Sequence, residues 1–119
     1  MRTIAEEKTF ENKLKKHLKD EGAWFIKYWA GSQFTKKGIP DMLCCVNGHF
    51  VAIEVKATHG VVSELQKYNI RKINESGGYA FALYPKDYPL FEQIIKCLGL
   101  DRVEIARLIV NNINEEVLK

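Results

Sequence analysis

Residues 38–57 read GIPDMLCCVNGHFVAIEVKA, and how this stretch pairs with itself decides the fold. Asn47-Gly48 lies between two runs rich in apolar and β-branched residues, and both residue types accept the positive φ that a two-residue type I′ turn demands. The spacing therefore predicts a hairpin of Met42–Val46 with His49–Val55. With a two-residue loop Val46 faces His49, Cys45 faces Phe50, Leu43 faces Ala52 and, at the open end, Asp41 faces Glu54. Side chains alternate along a strand, so Glu54 and Lys56 project from one face and Asp41 joins them from the partner strand. Opposed residues hold their Cβ atoms about 4.5–5.5 Å apart, where like charges destabilise a sheet. A hard divalent cation such as Mg²⁺ or Mn²⁺ offsets that repulsion, because converging carboxylate oxygens are its preferred ligands. A lysine beside it holds an attacking water or stabilises charge developing on a phosphate. A lone Glu-x-Lys is most often an ordinary solvated strand end; Asp41, set opposite by the turn, singles this one out.

Working outward, Thr3-Ile4-Ala5-Glu6 has capping-box spacing and predicts a helix to about Asp20, with Ile4, Phe10, Leu14 and Leu18 on one stripe. Glu7 and Glu11 fall inside that stripe. A buried unpaired carboxylate is costly, so these two either contribute to a metal site or sit at the stripe's edge and reach water. Ala23–Ala30, AWFIKYWA, predicts a strand with Trp24 and Trp29 in the core, and Gly31–Lys37 a polar loop placed for substrate contacts. Both faces of the hairpin are apolar away from its open end, so the sheet needs cover on both. The first helix and a Ser63–Ser76 helix, capped by Ser63 and packing through Leu65, Ile70 and Ile73, supply it. Gly77-Gly78 ends that second helix, and Tyr79–Tyr84 returns as a strand through a parallel crossover, which makes the sheet mixed. Two further helices follow, Pro89–Leu98 and one from Asp101 onward, whose Val103, Ala106, Leu108 and Ile109 surface either covers the sheet or meets another subunit.

Gly38-Ile39-Pro40-Asp41 followed by Glu54-Val55-Lys56 resembles the split P-D…(D/E)-x-K signature of the PD-(D/E)XK nuclease superfamily. With Phe10-Glu11-Asn12-Lys13-Leu14 before and Ser63-Glu64-Leu65-Gln66 after, the ordered set is similar to the VRR-NUC domains of phages and bacteria, relatives of Holliday-junction resolvases, over roughly residues 7–86. The resemblance implies an α/β, restriction-endonuclease-like core, αβββαβ, in residues 1–86, with 87–119 a C-terminal helical extension of the same single domain. It implies a metal-dependent DNA endonuclease in which Asp41, Glu54 and the Val55 carbonyl bind Mg²⁺ or Mn²⁺. Lys56 and Gln66 then serve hydrolysis, in which water attacks a phosphodiester in line, and Glu11 is favoured over Glu7 as the helix carboxylate. Resolvase relatives dimerise because one site makes one nick per encounter, so the resemblance implies a homodimer on branched DNA, four-way junctions or flaps. The rival reading is a nucleic-acid-binding module of the same fold that has lost turnover, and intact Asp41, Glu54 and Lys56 speak against it. A purely structural protein leaves the ordered motifs unexplained.

Composition agrees with this and decides little. A chain of 119 residues suffices for one domain with a real core. Lys+Arg 18 against Asp+Glu 15 leaves only +3, so the distribution of charge says more than the total. Lys8, Lys13, Lys15, Lys16 and Lys19 crowd the first helix, Lys36 and Lys37 precede Asp41, and Lys67, Arg71 and Lys72 follow Gln66. Lys13, Lys16, Ser32, Lys36, Lys37, Ser63, Lys67 and Arg71 are thus candidate DNA contacts, against the plainer reading of solvated helix faces. No base-reading motif is visible, so backbone shape and charge are expected to carry recognition. Cys44, Cys45 and Cys97 suit neither a disulfide framework nor a zinc site and read as core thiols. No Gly-rich phosphate loop, long apolar run or signal peptide appears. The expectation is no small-molecule cofactor, no membrane, and the cytoplasm of a bacterial or phage-infected cell.

Overall fold

The computed structural model describes residues 2–29, 31 and 35–119, with residues 2 and 3 described by their backbone alone. Its elements are α1 (Arg2–Asp20), β1 (Trp24–Lys27), β2 (Met42–Val46), β3 (His49–Val55), α2 (Glu64–Glu75) and β4 (Tyr79–Leu83). A short 3-10 turn at Pro85–Asp87 then leads into α3 (Tyr88–Gly99) and α4 (Val103–Val117). The strands form one sheet in the order β1-β2-β3-β4, antiparallel except for the parallel β3–β4 pair. This is the expected α/β architecture with a mixed sheet flanked by helices. The hairpin turn carries φ of 49° at Asn47 and 83° at Gly48, the doubly positive pair of a type I′ turn. Val46 pairs with His49, Cys45 with Phe50 and Leu43 with Ala52; the ladder ends at Met42 and Ile53, so Asp41 and Glu54 are next in line.

The two faces of the sheet are covered unequally. Phe10, Leu14 and Leu18 of α1, with Phe91 and Leu98 of α3 and Val110 of α4, close over Met42, Val51, Ile53 and Phe81 in one cluster. Opposite, α2 brings Ile70 down onto Ala52, Ala80 and Ala82, small residues that let a helix lie close to the strands. That cover thins beyond β3. Trp24 and Ile26 share the α2 face with Leu43, Cys45 and Phe50; Leu43 still packs against the α2 cluster, whereas Trp24 and Ile26 are exposed.

The expectation that Trp24 and Trp29 are core residues is therefore corrected: they are 64 % and 71 % exposed. β1 is a four-residue edge strand in which Phe25, like Ala23 just before the strand, packs against the core, so the side carrying Trp24 faces out. Cys45 is likewise open to solvent, unlike Cys44. Ile4 is exposed as well, so the buried stripe of α1 begins at Phe10. Leu65 is half-exposed, and Leu108 points outward while Ala106 is buried. The first helix starts at Arg2, ahead of the Thr3 capping position, and the Glu6 carboxylate accepts from Thr58 N and Oγ1 at 2.8 Å each. This ties the loop after Lys56 to α1. The outer edge of β4 is sealed by a side chain: Asn74 accepts from Ala80 N at 3.0 Å and donates to Ala80 O at 2.8 Å, as a pairing strand would. No helix among the described residues is long and apolar enough to cross a membrane.

Candidate active site

The chain carries Asp41 to Glu54 through backbone constraints. Tyr28 N donates to the Asp41 carbonyl at 2.7 Å, extending the β1–β2 pairing, and Val55 N donates to Asp41 Oδ2 at 2.9 Å. Upstream, Gly38 has φ of 78°, and a Cβ there would stand 2.4 Å from Leu65 Cγ, so the turn needs glycine for both angle and space. Asn69 Nδ2 donates to the Gly38 carbonyl at 3.1 Å and locks the turn onto α2.

Glu54 is 3 % exposed. Its Oε2 accepts from Gln66 Nε2 at 3.0 Å and lies 3.4 Å from Lys56 Nζ, whereas Oε1 is buried without a hydrogen-bond partner. Burial, and then the neighbouring Asp41 charge, push the Glu54 carboxyl up to about 8. Burial also raises Asp41, against the opposing effect of the Val55 N–H. Without a cation, burial and the facing charge therefore disfavour ionising both carboxyls at once. An orphaned carboxylate oxygen in a buried site facing a second carboxylate suits a hard divalent ion, so the donor set passes this test of fit. Among the described residues no group of three or more His, Cys, Asp or Glu side chains could hold a metal. Two carboxylates beside the Val55 backbone match an ion that keeps several waters.

Gln66 is oriented by a capping box: its N–H donates to Ser63 Oγ at 3.1 Å and its Oε1 accepts from Ser63 N at 2.9 Å. Only Nε2 is left to face Glu54. On α1, Glu11 is ion-paired to Lys15 at 3.1 Å and to Lys27; burial pushes its carboxyl up, but the hydrogen bonds from Lys27 and Lys15 hold it below the usual range. Glu7 is raised, first by burial and then by the Asp41 charge, with Lys56 and Lys27 opposing. Glu7 thus feels the charges of Asp41 and Lys56, and Asp41 in turn feels that of Glu11, whose own charge is met by two lysines. Sequence reasoning missed Lys27; its signal was a lone cation in the apolar run of β1.

The candidate DNA contacts scatter. Lys13 lies over the Tyr88 ring at 4.0 Å, and Lys16 is exposed in a surface pair with Asp20 at 2.8 Å. Lys67 reaches Glu64 and the Lys119 carbonyl, and Arg71 donates to the Leu118 carbonyl. Lys36 and Lys37 are exposed on the approach to Asp41, and Ser63 is exposed at the start of α2. Ser32 lies outside the described residues.

A carboxyl raised from 4.5 to about 8 in the folded protein keeps a proton that the unfolded chain has released. The stability it contributes is complete below about pH 4.5 and is lost as pH rises towards 8. In chelator, Glu54→Gln is therefore expected to melt above the parent at about pH 8 and level with it at about pH 4. Calorimetric melts that show no pH-dependent gap between the two proteins would refute the raised Glu54 carboxyl.

A family model described as archaeal Holliday junction resolvase (Hjc) matches residues 4–81. The matched span runs from α1 through the hairpin and α2 into β4. Among curated proteins, none matches the chain.

Proposed function

Because the chain belongs to the archaeal Holliday junction resolvase (Hjc) family, a PD-(D/E)XK-like family of nucleases, we propose that it is a Mg²⁺- or Mn²⁺-dependent endodeoxyribonuclease that cuts branched DNA as a homodimer. One observation carries the reading: the partnerless Glu54 Oε1, buried opposite Asp41 and beside Lys56. In this reading Asp41, Glu54 and the Val55 carbonyl hold the divalent ion. When bound, the ion supplies charge neutralisation at the phosphoryl and leaving oxygens. Lys56 Nζ, held by Glu54, donates to the attacking water and stabilises the negative charge of the transition state. Gln66 Nε2 holds Glu54 in its ligating orientation. Glu11 steadies Lys15 and Lys27, and Glu7 is the helix carboxylate turned towards the reaction.

The uncovered Trp24, Ile26 and Phe50 favour pairing of two copies, since a contiguous apolar sheet face marks an interaction surface and a two-fold dimer supplies two cuts. We take residues 1–86 as the nuclease core and 87–119 as its extension, with the narrower VRR-NUC likeness resting on motif order alone. The test is incubation with end-labelled four-way junction, flap and linear duplex, with Mg²⁺, Mn²⁺ or chelator. Divalent-dependent cutting of the branched substrates in preference to duplex is expected, and sedimentation should give a dimer. Equal cutting of duplex and junction would remove the branch selectivity. Retention of DNA without cleavage would favour the inactive binding module.

A further inference from the structure

Between α1 and the end of β1 lies a cavity of about 420 Å³ whose wall includes Glu7, Lys8, Glu11, Lys15, Lys27 and Trp29. The candidate chemistry uses only one of these residues directly: Glu7 lines the cavity and also feels the charges of Asp41 and Lys56. The strand register places its wall by the site: Lys27 pairs with Met42, and the next residue, Tyr28, bonds the Asp41 carbonyl, so the cavity opens near the place where a scissile phosphate would sit. Its most conspicuous wall is Trp29, 71 % exposed, with Lys27 Nζ 4.6 Å from the ring centre. Lys27 is itself anchored by Glu11, so the ring is steadied by a fixed cation and still leaves most of its surface open. A large aromatic surface left in water next to cationic side chains is the arrangement that takes up an unpaired base and its phosphate.

We propose that this cavity receives one unstacked nucleotide of the DNA strand adjacent to the cut, its base lying on Trp29 and its phosphate facing Lys8. The proposal rests on the nuclease reading and names the substrate feature that reading leaves open. A regular duplex must break stacking before it can fill the cavity, whereas a branch point already presents unstacked nucleotides. Branched or locally unpaired DNA is then selected with no base edge read, because every base has a stacking face.

The chain has two tryptophans, so Trp24→Phe leaves Trp29 as its sole indole fluorophore. In chelator, single-stranded hexathymidylate is expected to quench that emission saturably. An abasic hexamer with the same phosphates should bind more weakly, by roughly 5- to 150-fold, the range of one base–aromatic stack. Thymidine monophosphate should not saturate over the same range. Equal binding of the abasic hexamer would reduce the site to phosphate attraction, and absence of quenching would remove it. Saturation by the mononucleotide at the same concentration would make it a free-nucleotide site; each of these results overturns the proposal. Junction cleavage by the parent protein reads the nuclease proposal separately. Quenching without cleavage leaves the subsite standing, and cleavage without quenching leaves only the chemistry.

Discussion

Asp41→Asn is expected to lose divalent-dependent cleavage of a four-way junction, by a factor on the order of 10³ or more. The substitution is nearly isosteric and keeps an oxygen able to accept from Val55 N, so the turn and the hairpin end should hold. What disappears is one of the two charges facing the buried Glu54. Glu54→Gln should have the same consequence from the other strand. Since both carboxylates would serve one ion, the double variant should be little worse than either single one. Calorimetric titration with Mn²⁺ should show affinity falling together with the rate. Cleavage by Asp41→Asn at the parental rate would sink the metal assignment and leave the carboxylate pair a structural feature of the hairpin end.

Lys56→Ala is expected to slow cleavage by about 10²–10³ while Mn²⁺ affinity stays close to the parent's. Lys56 Nζ is 3.4 Å from Glu54 Oε2, the oxygen that Gln66 also holds, so Glu54 retains one anchor when the lysine is gone. The lost charge acts on the transition state more than on the ion, and should therefore appear in the rate constant. Gln66→Ala should cost less, because its amide meets a ligand and not the reacting phosphate. Single-turnover rates at saturating Mn²⁺ separate these cases. Abolished metal binding in Lys56→Ala would make the lysine a structural support for Glu54.

The hairpin, and with it the opposition of Asp41 to Glu54, was legible in the sequence because a two-residue turn fixes register by local geometry alone. Asn47 and Gly48 need nothing beyond their own φ preferences to pair Val46 with His49. The crossover to β4 and the Ser63 cap followed from equally local rules. Inward placement of Glu11 could be read from helical periodicity, but its partners could not. Lys27 lies sixteen positions away on another element, and only the packing of α1 against β1 brings the two together. The charge of Asp41 felt by Glu7 arises from that same packing.

Trp24 and Trp29 show the limit most clearly. Hydrophobicity said they would be buried, yet burial of Trp24 on the outer face of β1 depends on how far α2 extends across the sheet, and Trp29 lies beyond the strand at a cavity on the α1 side. The footprint of α2 is set by Ala52, Ala80 and Ala82 on the far strands. Likewise Lys67 and Arg71 read as free basic residues until the fold brought the carbonyls of Lys119 and Leu118 beside them, across 52 and 47 positions. Turns, caps and strand alternation are short-range consequences of backbone sterics, so this sequence determined them by itself. Which faces are covered, and which charges meet, was decided by the tertiary structure, because those outcomes depend on contacts between elements that no local preference encodes.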